Sequence, residues 1–402
     1  MSNRQAPAMT AWKTKPLGEL FDVVGGGTPS KKKSSYYGGN IPWATIRDMH
    51  SGTLTKTEHT ITEQGLQASS AKLIPAGEVI MASRVGLGKA CLLDQDTAIN
   101  QDIRALIPRN ADAIDRRFCL YWLQTQVDAI IDAGSGATVQ GIKLPFIKSL
   151  PFPDICVDEQ KRIVAVLDQA FAALDRARAN AEANLAGVTE LERRLVQTNL
   201  TPTSSDSWQT CKLGKILTVL SGFAFKSNEY TDKGHFLIRI ANVQEGEISL
   251  HRPKFVNLDN KTTKFELAEG DILTSLTGNI GRVAVIGEEH LPAALNQRVA
   301  KLVPTAGAVS REFLLQFLCS DLFGDPLREK GRGAAQQNVS PNEIKNIDIS
   351  FPDKLEQRKI VESILSAQEA CSQLRQHYDE LIGDIEELRQ SLLQKAFAGG
   401  LT

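Results

Sequence analysis

Leu150-Pro-Phe-Pro-Asp-Ile-Cys-Val-Asp-Glu-Gln-Lys-Arg-Ile-Val164 and Ile349-Ser-Phe-Pro-Asp-Lys-Leu-Glu-Gln-Arg-Lys-Ile-Val361 are one signature written twice in a chain of 402 residues. Each begins with a Phe-Pro pair, passes through Glu-Gln, and runs into a long segment with helical apolar spacing. An internal repeat on this scale sets the architecture before any single residue is weighed. It predicts two similar domains, two similar helices and a pseudo-twofold arrangement.

The repeat extends upstream of both signatures. Trp12 to Gly18 matches Trp208 to Gly214, and short apolar strands follow at Leu20 to Val24 and Ile216 to Leu220. Ala76-Gly-Glu-Val-Ile80 matches Glu269-Gly-Asp-Ile-Leu273, and Asn100-Gln101 matches Asn296-Gln297. Helical patterns at Arg116 to Ile131 and Arg311 to Phe323 precede Gly-rich loops at 134–141 and 331–338. Gly and Pro recur at the turns, where their backbone preferences are needed. The stretches 28–70 and 223–264 do not match in sequence, which predicts one scaffold carrying two different inserts.

Downstream of the signatures, apolar residues alternate in steps of four and three, the heptad pattern of a coiled coil. The predicted seam of the second helix includes Ile360, Ile364, Leu374, Leu381 and Leu388. The same register in the first helix gives Ile163, Leu167, Leu174, Asn184 and Leu191, with Asn184 as the one polar seam residue. Two equal helices in one chain, with a domain between them, predict an intramolecular antiparallel pair. The fold class is therefore α+β: two α/β domains separated by an antiparallel coiled coil of two long helices. The expected segments are 1–150 (first domain), 151–200 (first long helix), 201–348 (second domain) and 349–402 (second long helix). Thr201 to Ser207, rich in Ser, Thr and Pro, is the expected linker.

Composition narrows the function classes. Hydrophobic residues make up 42% of the chain and charged residues 23%, enough for real cores. No apolar run approaches the ~18 residues that suggest a membrane span. Met1 to Thr14 lacks the order of a signal peptide. The six cysteines are scattered, without metal-ligand spacing, which fits free thiols in the cytoplasm and no metal site. Net charge is −1, but residues 1–149 carry 17 Lys and Arg against 13 Asp and Glu, while 349–402 carry 6 against 9. The first domain is thus more basic than the second helix, which points to a polyanionic partner for it.

The order of these features resembles the specificity subunit of type I restriction–modification enzymes: Gly25-Gly-Gly-Thr-Pro-Ser30 with Tyr36 to Trp43, the Gly-acidic strand, Asn-Gln, the Gly loop, Glu-Gln and the coil. No single motif is specific; the duplicated order is. The resemblance implies a DNA-binding component of a restriction and DNA methylation system. Each domain would be a target recognition domain reading one half of a bipartite, asymmetric site in double-stranded DNA. The helix pair would set the spacer and dock two adenine-N6 methyltransferase subunits, through which motor–nuclease subunits join. The chain would itself be non-catalytic and carry no cofactor, with S-adenosylmethionine on the methyltransferase partners.

In that context the candidate DNA contacts of the first domain are Lys31, Lys32 and Lys33 with Tyr36 and Tyr37, then Arg47 and His50, and Arg84 on the Gly-rich turn. Those of the second are Lys226, Arg239, Asn242, Gln244, Lys254, Lys261 and Lys264. Arg suits guanine, Asn and Gln suit adenine, and Lys suits phosphate. Ser83 to Lys89 is not a phosphate loop, because Ser83 and Ala90 replace residues that motif requires. No N-P-P-[FYW], H-E-x-x-H or G-x-S-x-G motif occurs. Two other readings stand beside the leading one: a coiled-coil scaffold whose twin domains bind proteins, and a self-sufficient methyltransferase. A salt-sensitive shift of duplex DNA by the chain with its methyltransferase excludes the first. Failure of the isolated chain to bind S-adenosylmethionine excludes the second.

Overall fold

The computed structural model describes residues 12–50, 52–134, 141–203, 207–305, 307–331 and 338–400. The two Gly-rich loops therefore lie largely outside the described residues. The chain divides into two compact units that cut across the segments expected from sequence. One comprises the chain up to Ala181 together with the part from Glu380 onward; the other is Glu182–Asp379.

In the first unit a five-stranded sheet has the order Phe21–Gly25, Ile103–Pro108, Val79–Ala82, Ala90–Leu93, Thr53–Leu54. Beside it lies a four-stranded sheet, His59–Ile61, Tyr37–Ala44, Thr97–Ile99, Lys72–Ile74. The second unit has a four-stranded sheet, Leu217–Ser221, Val299–Pro304, Ile272–Ser275, Val283–Val285. A five-stranded sheet of the same unit runs Tyr230–Thr231, Phe255–Val256, His235–Ile238, Ala293–Leu295, Glu266–Leu267. The repeat holds to the level of register. Phe21 pairs with Pro108 as Leu217 pairs with Pro304, and Val79 with Leu92 as Ile272 with Val285.

The inserts, dissimilar in sequence, share a topology. Trp43 pairs in parallel with Ala98, and Leu237 with Ala294 at the equivalent place. An antiparallel strand flanks this central pair on each side in both units. Ala98, Ile99, Ala294 and Leu295 are buried. A buried strand tolerates no register slip, because one residue of slip turns every side chain to the other face. The buried side chains themselves differ, Trp43 and Ala44 against Leu237 and Ile238, yet the pairing is kept.

The long helices are Val157–Asn199 and Lys354–Phe397. The signature glutamine anchors each. Gln160 is 1% exposed and Gln357 0%. The Gln160 Oε1 accepts from Asp115 N at 2.9 Å, and its Nε2 donates to Ala113 O and Ile155 O, both at 3.0 Å. The Gln357 Oε1 accepts from Ser310 N, and its Nε2 donates to Ala308 O and Pro352 O, each at 2.8 Å. One amide thus ties the start of the helix to the loop entering the domain's own helix, Arg116–Thr125 or Arg311–Leu318, in each unit. Beside it Ile163, Val164 and Leu167 are buried in the first core and Ile360, Val361 and Ile364 in the second.

Within the first unit the two helical segments run antiparallel: Asp175 pairs with Arg389 at 2.7 Å and Arg178 with Glu386 at 3.1 Å. Leu393 and Ala396 sink into the core beside Phe118 and Phe152. In the second unit Glu192 pairs with Arg375, while Leu200 joins the core with Ile360 and Ile364, giving the same sense.

The seam needs correction. Ile163, Leu167, Ile360 and Ile364 are buried and Leu174 is half-buried. Asn184, however, is exposed. So are Leu191 (47%), Leu374 (41%), Leu381 (37%) and Leu388 (48%). Phe171, Leu185, Arg375, Ile382 and Arg389 turn inward in this phase instead, buried or half-buried. Two phases of a heptad share every seventh residue and differ in whether the neighbour three or four positions on faces the partner. The domain decides between them here. It buries Ile163 and Leu167, four apart, and the next position four on is the large Phe171 rather than Ala170. The Arg389 guanidinium lies 4.2 Å from the Phe171 ring centroid, a cation–π contact that fills the place assigned to Leu388.

Gln357→Ala leaves a buried N–H and two carbonyls without partners. It should destabilise the second unit by about 2–3 kcal/mol, read as a lower denaturation midpoint and faster amide exchange at the start of the second long helix. An unchanged midpoint would show that the amide is not the anchor.

Candidate nucleic-acid interface

Strand Tyr37–Ala44 ends in a turn that Asp48 holds closed. Its carboxylate accepts from Thr45 N at 2.7 Å, from Thr45 Oγ1 at 2.8 Å and from Glu58 N at 2.7 Å. The pinned turn leaves Arg47 exposed beside an open cleft of about 810 Å³. Lys31, Tyr37, Trp43, His59, Val85, Asn100 and Gln101 also line it. Trp43 meets Tyr37 edge-on at 6.0 Å, and its Nε1 donates to Gly27 O at 3.1 Å. The Tyr37 hydroxyl donates to Pro29 O at 2.6 Å, and burial raises its pKa. The aromatic wall is therefore fixed, and the long, flexible side chains of Lys31 and Arg47 stand at the mouth.

Several candidates fall outside this cleft. Lys32 and Lys33 are exposed on the same turn, and Lys33 is drawn to Tyr36, with its Nζ 3.0 Å from the hydroxyl. Tyr36 itself is buried, so it presents no edge to a base and is corrected from contact to core. His50 and Arg84 are exposed but do not line the cleft, and Arg84 faces Asp102 at 3.7 Å.

In the second unit Asn242 is fully buried. It accepts from Arg239 N at 3.2 Å and donates to Ser249 O at 2.9 Å. It closes the turn that Asp48 closes in the first unit, so it too is corrected, from base reader to loop brace. Arg239 is half-buried and donates to Arg252 O at 2.8 Å; Gln244 is half-buried and donates to Ala241 O at 2.9 Å. Both are engaged with the loop. Lys226, Lys254, Lys261 and Lys264 are exposed, and Lys264 lies over the Phe265 ring.

Sequence reasoning missed Trp43, His59 and Gln101 as cleft residues. A signal for Gln101 was present. Asn100 and Asn296 form the same turn, accepting from Asp102 N at 3.1 Å and Arg298 N at 3.2 Å. That turn leaves Gln101 and Gln297 exposed in both units. The arrangement offers guanidinium, ammonium and amide groups, which suit phosphates and base edges. Among the described residues no cluster of His, Cys, Asp and Glu could hold a metal ion, and no helix is long and apolar enough to cross a membrane.

Residues 9–184 and 205–382 each match the model of the type I restriction modification DNA specificity domain. The chain is 28% identical over 159 residues to the type I restriction enzyme MjaIX specificity subunit of Methanocaldococcus jannaschii, a match covering 39% of this chain and 37% of that relative. The chain thus spans well under half of that relative's length. The MjaVIII specificity subunit of the same organism is 20% identical over 404 residues, covering 96% of this chain and 92% of its own. A solved chain from work on complex assembly and conformational transition of the type I R-M system shares the fold. Its TM-score is 0.73 at 18% identity, over 99% of this chain and 100% of that one.

Arg47→Ala should weaken binding of the target duplex by about 1–3 kcal/mol and relax base choice at one position. Lys32→Ala should weaken all duplexes alike and reduce the salt dependence by about one unit of slope. Titration of target and unrelated duplexes at several salt concentrations separates the two behaviours; identical profiles would remove Arg47 from base reading.

Proposed function

The chain belongs to the family of type I restriction–modification DNA specificity proteins, and from that premise we propose that it selects the DNA site at which a methyltransferase and nuclease complex acts. The duplication carries this reading. Two units repeat one scaffold to the level of strand register, yet their exposed insert residues differ. Two such units suit two short, unlike sequences, so each recognition domain reads one half of a bipartite, asymmetric site in double-stranded DNA. Lys31, Tyr37, Arg47 and Gln101 serve the first half, and the exposed lysines of the second unit hold its phosphates.

The helix pair sets the unread gap. A helix of 43 residues spans roughly 65 Å at ~1.5 Å per residue, against about 3.4 Å per base pair of DNA. The coil also docks two adenine-N6 methyltransferase subunits, one on each unit. An exposed leucine favours this in both: Leu388 in the first unit and Leu191, its repeat mate, in the second. Motor–nuclease subunits join through the methyltransferases, and S-adenosylmethionine belongs to those subunits. The chain's own part is recognition without chemistry.

Exchanging residues 1–150 for those of a relative should change one half of the methylated motif and leave the other half and the gap unchanged. Methylome sequencing reads this directly, and a change in both halves would defeat modular reading. Leu388→Glu should leave the unfolding free energy within about 0.5 kcal/mol of the parent, as for an exposed substitution, while reducing co-purification of the methyltransferase. A collapsed coil would return Leu388 to the seam.

A further inference from the structure

The hairpin joining Val79–Ala82 to Ala90–Leu93 shares one left-handed position with its repeat mate but carries a different side chain there. Arg84 bridges Gly141 in the first unit as Thr277 bridges Asn338 in the second. This aligns Val85 with Gly278. Gly278 has φ +68° and Val85 has φ +50°. Glycine adopts that left-handed region freely, whereas a β-branched residue is strained there. The fold therefore asks only for glycine, and the second unit supplies it.

The first unit instead holds an isopropyl group that is 52% exposed, too exposed for a core role. It lines the same cleft as Lys31, Arg47 and Gln101. A strained residue whose side chain faces a cleft is held for what that side chain touches. Among base-pair edges in the major groove, the 5-methyl of thymine is the apolar feature that such a side chain meets, while the hydrogen-bonding edges suit Arg and Gln.

We propose that Val85 is a specificity-determining residue of the first recognition domain, making van der Waals contact with the 5-methyl group of a thymine in its half-site. This rests on the reading of the chain as a DNA-recognition subunit. The second domain, with glycine at this position, makes no such contact.

The test uses the complex assembled with its methyltransferase and the motif found by methylome sequencing. Thymines of each half-site are replaced singly by deoxyuridine, which removes only the methyl. For the parent chain, one replacement in the first domain's half should weaken binding about fourfold, the worth of one buried methyl. In Val85→Gly and Val85→Asn, both compatible with a left-handed backbone, that sensitivity should vanish. The second half-site should be read as before, and Val85→Gly should melt no lower than the parent. A parent complex indifferent to every replacement, or variants as sensitive as the parent, would overturn the proposal. So would a Val85→Gly chain that melts lower and loses both halves alike, which marks a structural residue. A parent complex that methylates no bipartite motif would defeat the underlying reading, and this inference with it.

Discussion

A buried carboxamide at the mouth of each long helix governs much of this structure. Gln160 and Gln357 each satisfy one backbone N–H and two carbonyls in a place that water does not reach. Leaving such groups unpaired costs about 1–3 kcal/mol, so the helix has one favourable rotation about its axis. That rotation determines which residues sink into the domain and which face the partner helix. It also explains why Glu-Gln recurs in both copies while much of each insert does not.

The antiparallel pairs within the units follow from this constraint. Once Ile163 and Leu167 are buried in the domain core, Phe171 comes next in line, and the heptad continues one residue out of step with its leucines. Arg375 and Arg389 then occupy places that leucines would otherwise fill, their stems covering apolar surface while their charged ends meet Glu192 and Asp175. Leu191 and Leu388 are left facing outward, where they are available to another chain.

The inserts show the complementary case. Their central strands are buried and keep order and register although the sequences have parted. Different residues close the equivalent turn after the central strand, Asp48 in one unit and Asn242 in the other, with acceptor oxygens at the same place. Val85 and Gly278 reverse the pattern, since one backbone conformation there carries two unlike side chains. Positions that the scaffold requires and positions that a ligand would require separate along that line.

The repeat, the two long helices, their pairing and the α+β class were all legible in the sequence. Periodicity and turn residues report local conformation and burial, and duplication doubles each signal. The sequence also singled out Lys31 and Tyr37 in one loop and Arg47 beyond the next strand as separate candidates. It did not reveal the helix phase, because two phases share every seventh residue and only the domain core selects one. Nor did it reveal that Tyr36 and Asn242 are buried, that Trp43 on the strand just before Arg47 lines the cleft, or that His59 and Gln101 join them from other segments of the chain. Residue type states what a side chain is able to bind; only the packed sheet decides which way it points.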